Sequence, residues 1–140
     1  IPQVKYLEID GSGKIIATDT VFTDEIQLEI KGSGSIKFAV RPDTTYPSNR
    51  VFSNISGSGS IEILGVATDH HIDIEGSGEV KAYYLETNNN YISIDGSGSC
   101  WVTFSDYLKV NITGSGNVYY KGNPSIDQTI EGSGGVHNKN

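Results

Sequence analysis

Ile74-Glu75-Gly76-Ser77-Gly78-Glu79-Val80 decides the fold of this chain, because its frame returns along the whole sequence. The Gly-Ser-Gly centre also occurs as Gly11-Ser12-Gly13, Gly32-Ser33-Gly34, Gly57-Ser58-Gly59, Gly96-Ser97-Gly98, Gly114-Ser115-Gly116 and Gly132-Ser133-Gly134. Successive copies lie 21, 25, 19, 20, 18 and 18 residues apart. A flexible linker repeats Gly and Ser without regard to its flanks, whereas here the flanks repeat too. With the first glycine set to zero, the minus-two position is Ile9, Ile30, Ile55, Ile74, Ile94, Ile112 and Ile130. The plus-four position is Ile15, Ile36, Ile61, Val80, Cys100, Val118 and Val136. Minus four (Leu7, Leu28, Ser53, Ile72, Ile92, Val110, Gln128) and plus six (Ala17, Phe38, Ile63, Ala82, Val102, Tyr120, Asn138) extend the pattern.

All these offsets are even, so one face of an extended chain is apolar. The glycines fall at offsets zero and two, which predicts both of them on the inward face, at a corner where a Cβ would collide with the interior. The serines are then expected to point outward.

One corner in about 20 residues and an unbroken frame predict an all-β fold, a right-handed parallel β-helix of about seven coils. Stacked at about 4.8 Å per coil, equal positions become ladders, and seven coils stand roughly 30 Å tall. A propeller blade needs about 40 residues, and a sandwich would not preserve one invariant corner. Residues 1–140 read as a single domain. Thr23-Asp24-Glu25, Ala67-Thr68-Asp69, Thr87-Asn88-Asn89-Asn90, Ser105-Asp106 and Gly122-Asn123-Pro124 carry turn chemistry and predict the opposite corner of each coil. The second coil is longest, and its excess, 41–50, predicts a protruding loop of the kind that carries binding in solenoids.

Composition narrows the function. The 140 residues hold 17 Asp plus Glu against 10 Lys plus Arg, which argues against nucleic acid or an anionic membrane as partner. A single cysteine, Cys100, excludes an internal disulfide, and no Cys/His spacing suits zinc. No run of 18 apolar residues exists, so no membrane insertion by this segment is expected.

The stretch Leu108-Lys109-Val110-Asn111-Ile112-Thr113-Gly114-Ser115-Gly116-Asn117-Val118-Tyr119-Tyr120-Lys121-Gly122-Asn123-Pro124-Ser125-Ile126, continuing through Ile130-Glu131-Gly132-Ser133-Gly134-Gly135-Val136, resembles the end of a known domain. That domain is the auto-transporter-adhesin head domain, the "head GIN" family of bacterial, typically Bacteroidetes, surface proteins. The resemblance covers about residues 4–136. It implies a β-helix that is exported to the cell surface or the extracellular space, with a lipid anchor supplied by an N-terminal segment outside this chain. It also implies an adhesin-like or scaffold role without catalysis, on the C-terminal part of a longer family domain. The family supplies no catalytic residues to carry over.

Outward positions offer the chemistry. At plus five stand Ile16, Lys37, Glu62, Lys81, Trp101, Tyr119 and His137, so Trp101 and Tyr119 are expected as neighbours one coil apart. Exposed aromatics can stack on a sugar while nearby polar groups bond its hydroxyls; the alternatives are structural pairing or contact between copies. Tyr46, with Arg41 and Arg50 flanking its loop, is a second candidate surface, for a glycan or a cell-surface protein. Open β-helix ends predict association between copies.

Acidic ladders (Glu8, Glu29, Asp73 at minus three; Asp10, Glu75, Asp95, Glu131 at minus one) read as solvated charge, with Ca²⁺ the ion their oxygens would suit. No cofactor is otherwise expected. In Asp69-His70-His71-Ile72-Asp73 the two histidines point opposite ways, which argues against a metal site and places His71 outward. Cys100, in an inward row, reads as a buried thiol. The rival function is a polysaccharide-active enzyme, a lyase using Arg41 and Arg50 against uronates or a hydrolase using paired carboxylates. The outward serines have no His or Lys at a fixed offset to activate them.

Overall fold

The structure is a computed structural model that describes residues 6–41, 49–122 and 125–139; for 18, 19, 22, 104 and 105 only the backbone is described. Eleven strands follow in order: β1 (Tyr6–Gly11), β2 (Lys14–Phe22), β3 (Glu25–Gly32), β4 (Ser35–Arg41), β5 (Arg50–Gly57), β6 (Ser60–Gly76), β7 (Glu79–Gly96), β8 (Ser99–Gly114), β9 (Asn117–Lys121), β10 (Ser125–Glu131) and β11 (Gly135–Asn138). Every pairing is parallel, and no helix occurs among the described residues. The register puts Gly11 on Gly32, Gly32 on Gly57, Gly57 on Gly76, Gly76 on Gly96 and Gly96 on Gly114. The chain is thus a β-solenoid. Its seven corners bracket about six complete turns.

The even-offset rows form the core. Ile30, Ile55, Ile74, Ile94 and Ile112 are stacked and buried, as are Ile36, Ile61, Val80, Cys100 and Val118, with Phe38, Ile63, Ala82 and Val102 beyond them. Burial of these apolar ladders, at about 25 cal/mol per Å², is what drives the stacking.

The two glycines of each corner behave differently, which corrects the expectation that both face inward. The second is the inward one: Gly34, Gly59, Gly78, Gly98 and Gly116 are buried. The first lies toward solvent with φ between +108° and +123°, a conformation costly for residues with a Cβ. Its constraint comes from the neighbouring coil. A Cβ on Gly76 would lie 2.7 Å from the carbonyl oxygen of Gly57, which accepts a hydrogen bond from the Ser77 amide at 3.1 Å. The serines of all seven triplets are exposed, as expected.

Away from the triplet, the coil bends twice rather than once. In β7 the inward residues run Val80, Ala82, then Leu85, Thr87, then Asn90, Ile92, Ile94, so the alternation slips between Ala82 and Leu85 and again between Thr87 and Asn90. The second slip falls where turn chemistry was read; the first was missed, together with the positive φ of 115° at Gly65, which pairs with Leu85. Both bends lie inside an unbroken strand, and at the second of them inward side chains bond the backbone groups nearby. Thr87 Oγ1 donates to the Thr103 carbonyl at 2.8 Å and accepts from Asn90 Nδ2 at 2.5 Å. Buried Asn49 donates through Nδ2 to the Val66 carbonyl at 3.1 Å and accepts from the Thr68 amide at 3.0 Å.

Candidate functional site

Trp101 and Tyr119 meet as the register requires. Their rings stack with centroids 5.4 Å apart and planes 17° apart. The stack continues, since His137 covers the far face of Tyr119 at 5.1 Å and 22°. Lys139 Nζ also approaches that ring, at 5.4 Å, and His137 Nε2 is held 3.0 Å from Asn117 Oδ1. Rings at one position on successive coils are forced into contact by the strand spacing. Tyr119 therefore has no free face, and the pair cannot act as two equal sugar platforms.

On the other side of Trp101, itself half-buried, the row continues to Lys81 and Glu62, which carry no ring. A groove of about 270 Å³ opens there, lined by Glu62, Ile63, Lys81, Tyr83, Tyr84 and Trp101. Tyr84 is 75% exposed beside it. Tyr83 is half-buried under Lys121 Nζ at 4.6 Å, and burial raises its phenol pKa. Lys81 pairs with Glu79 at 3.7 Å and Glu62 with Lys37 at 3.7 Å, so an ammonium and a carboxylate rim an otherwise aromatic wall.

A second aromatic row was not expected. Phe52 stacks on His71 (4.8 Å, 15°), His71 on Tyr91 (4.7 Å, 14°), and Tyr107 meets Tyr91 edge-on (6.0 Å, 64°). The first three share the minus-five offset, so the signal was in the sequence but outside the rows compared there. His71 does face outward. Burial in its stack lowers its pKa, with Asp69 opposing. Next to this row lies a groove of about 390 Å³ that includes Asn54, Asp73, Ser93, Lys109 and Asn111.

The other candidates fall into place. Arg41 ends β4; Arg50 begins β5 and pairs with Glu25 at 3.4 Å. Tyr46 and the rest of 42–48, where most of the protruding loop was expected, lie outside the described residues. Glu8 and Glu29 are one coil apart and are bridged by Tyr6 Oη, which donates at 3.1 and 2.6 Å, and by Lys31 at 3.7 and 3.6 Å. The bond to Glu29 raises the Tyr6 pKa and lowers that of Glu29. Among the described residues no three His, Cys, Asp or Glu side chains are arranged to hold a metal ion. Cys100 is buried, and burial raises its thiol pKa.

His70 turns inward and is completely buried, with Nε2 2.8 Å from Ser53 Oγ. A serine and a histidine at that distance have nucleophile–base geometry. Both are sealed in the core, however, and desolvation lowers the His70 pKa to about 3. No substrate reaches them.

Residues 1–124 match the family model for "Putative auto-transporter adhesin, head GIN domain". The chain belongs to this family. Among solved structures it is similar to a putative adhesin from Parabacteroides distasonis ATCC 8503, at 28% identity over 96% of this chain and 55% of that one, TM-score 0.77. A putative adhesin from Parabacteroides merdae ATCC 43184 is 25% identical over 97% of this chain and 64% of that one, TM-score 0.74. One from Bacteroides fragilis NCTC 9343 shares the fold at TM-score 0.86 and 22% identity, over 96% of this chain and 60% of that one. The chain therefore spans between 55% and 64% of the length of these relatives. No curated protein matches it.

Proposed function

We propose that this head GIN domain is a non-catalytic, adhesin-like binding module, displayed at the cell surface or in the extracellular space, that takes a glycan on its outer face. The carrying observation is Trp101, stacked on Tyr119 and lining a groove with Glu62, Lys81, Tyr83 and Tyr84. An indole face accepts the apolar side of a sugar ring, and a carboxylate, an ammonium and two phenols at the rim accept and donate to its hydroxyls. Tyr119 serves as the backing that fixes the indole rather than as a second platform. Family membership supports an adhesin role, and the sealed Ser53–His70 pair offers no route to acyl or glycosyl transfer.

A glycan array probed with wild type, Trp101→Ala and Tyr119→Ala tests this reading. Binding should fall at least about tenfold on loss of Trp101, as for other central aromatic anchors, and less on loss of Tyr119. Absence of binding to any glycan at high protein concentration would overturn it. Product release from an acidic polysaccharide, abolished by Arg41→Ala or Arg50→Ala, would establish the enzyme instead.

A further inference from the structure

The groove beside the second aromatic row is on a different flank, before the Gly-Ser-Gly corner rather than after it. Its floor is the minus-three row, where Asn54, Asp73, Ser93 and Asn111 lie in register on four successive coils, all exposed. Its wall is the edge of His71 and Tyr91, ending at Lys109.

This row changes character along the solenoid. At its start Glu8 and Glu29 are tied down by Tyr6 and Lys31. From Asn54 onward the side chains of the row enter no hydrogen bond or ion pair with other described residues through Asn111, and Lys109 has no ion-pair partner among them. Two amides, a hydroxyl, a carboxylate and an ammonium therefore face solvent in one trench with their bonding capacity open.

The charges of Asp73 and Lys109 cancel, which disfavours a polyanion or polycation. Amides and hydroxyls that both donate and accept match sugar hydroxyls. The coil spacing of about 4.8 Å repeats such groups along the solenoid axis, a pattern that a linear ligand can use several times and a single sugar ring only once. We propose that this trench is a second saccharide site, taking a linear, uncharged glycan along the axis, so that the domain binds sugar on two flanks. The site stands whether or not Trp101 binds.

The test is an NMR titration that follows the side-chain amides of Asn54 and Asn111 and the indole of Trp101. The probes are gluco-, manno-, xylo- and N-acetylglucosamine oligomers of increasing length, with uronic-acid oligomers and an uncharged extended peptide alongside. Both asparagine amides should move with at least one neutral oligomer, with affinity rising with its length. Asn54→Ala with Asn111→Ala should weaken that binding tenfold or more at unchanged melting temperature, and Trp101→Ala should leave it intact. The proposal fails if neither amide moves with any neutral oligomer at millimolar concentration, if length has no effect, or if the uronic-acid oligomers or the peptide bind better. Movement of the Trp101 indole alone would overturn this site and leave the first standing, and movement of the amides alone would do the reverse.

Discussion

Gly78 of one coil sits against Ile55 of the coil before: a Cβ built on Gly78 would lie 2.5 Å from Ile55 Cγ2 and 2.8 Å from the Gly59 carbonyl oxygen. Gly76 is excluded from bearing a side chain for a different reason, its φ of +114° and the Gly57 carbonyl 2.7 Å from any Cβ. Gly13 differs from both, since among the described residues its Cβ would meet only Ile9 Cγ2, at 3.6 Å.

Gly78→Ala should destabilise by about 3 kcal/mol, the upper end for overpacking, because a backbone oxygen cannot move aside as a side chain can. Gly78→Val should be worse and Gly76→Ala comparably severe, whereas Gly13→Ala and Ser77→Ala should stay within about 0.5 kcal/mol. Thermal unfolding of the four alanine variants checks this. If Gly76→Ala were as mild as Ser77→Ala, the stacked-corner explanation would be wrong.

Acid should weaken the fold through His70. Its folded pKa, about 3, lies below the ordinary 6.5, so between these values the unfolded chain binds a proton that the folded one refuses. The stability associated with neutral His70 is complete above about pH 6.5 and declines as pH falls toward 3, by up to about 1.4 kcal/mol per unit. His70→Gln keeps a partner for Ser53 Oγ without titrating. Urea denaturation from pH 4 to 8 should show the wild type losing stability relative to this variant on the acid side, with parallel curves above pH 7.

These two cases mark what the sequence makes legible. The apolar ladders follow from parity alone, because a strand has no third side on which to place Ile74 or Val80. Parity also placed Gly76 inward, and there it fails: a positive-φ residue turns the chain, and the alternation lapses at that residue before Gly78 and Val80 resume it. The slip between Ala82 and Leu85 carries no turn residue, since the bend is held by the tertiary stack. Of the candidate site, the Trp101–Tyr119 neighbourhood was readable from one offset. That Tyr119 is covered on both faces was not, because an offset puts His137 in the row without showing that its ring lies flat on Tyr119. The Phe52–His71–Tyr91 row follows from the same arithmetic at minus five.

Cys100 should be silent to thiol reagents in the folded protein. It is fully buried between Val80 and Val118 in the plus-four row, and the thiolate that would react is disfavoured by desolvation. Labelling by an aromatic disulfide reagent should wait on unfolding and accelerate in urea along with the loss of structure. Cys100→Val, which matches its neighbours in the row, should cost less than about 1.5 kcal/mol. Rapid stoichiometric labelling of the native protein would show that the core opens at this coil.

Gln128 and Asn138 put polar side chains in rows that are mostly apolar. Gln128 stands on buried Val110, and Asn138 on half-buried Tyr120; both are exposed. Among the described residues β10 pairs only with β8 and β11 only with β9, so these strands present an edge. A strand from another copy that covered this edge would have to bury the Gln128 amide, at about 1–3 kcal/mol if it found no partner. Gln128 and Asn138 therefore disfavour the pairing of another copy's strand on that side of β10 and β11, as charged and polar groups do on other sheet edges. Gln128→Leu combined with Asn138→Val should remove that penalty and extend the apolar ladders to the edge. Sedimentation velocity over a concentration series should then show the double variant associating at lower concentration than the wild type. Unchanged sedimentation would mean that something other than these two side chains guards the edge.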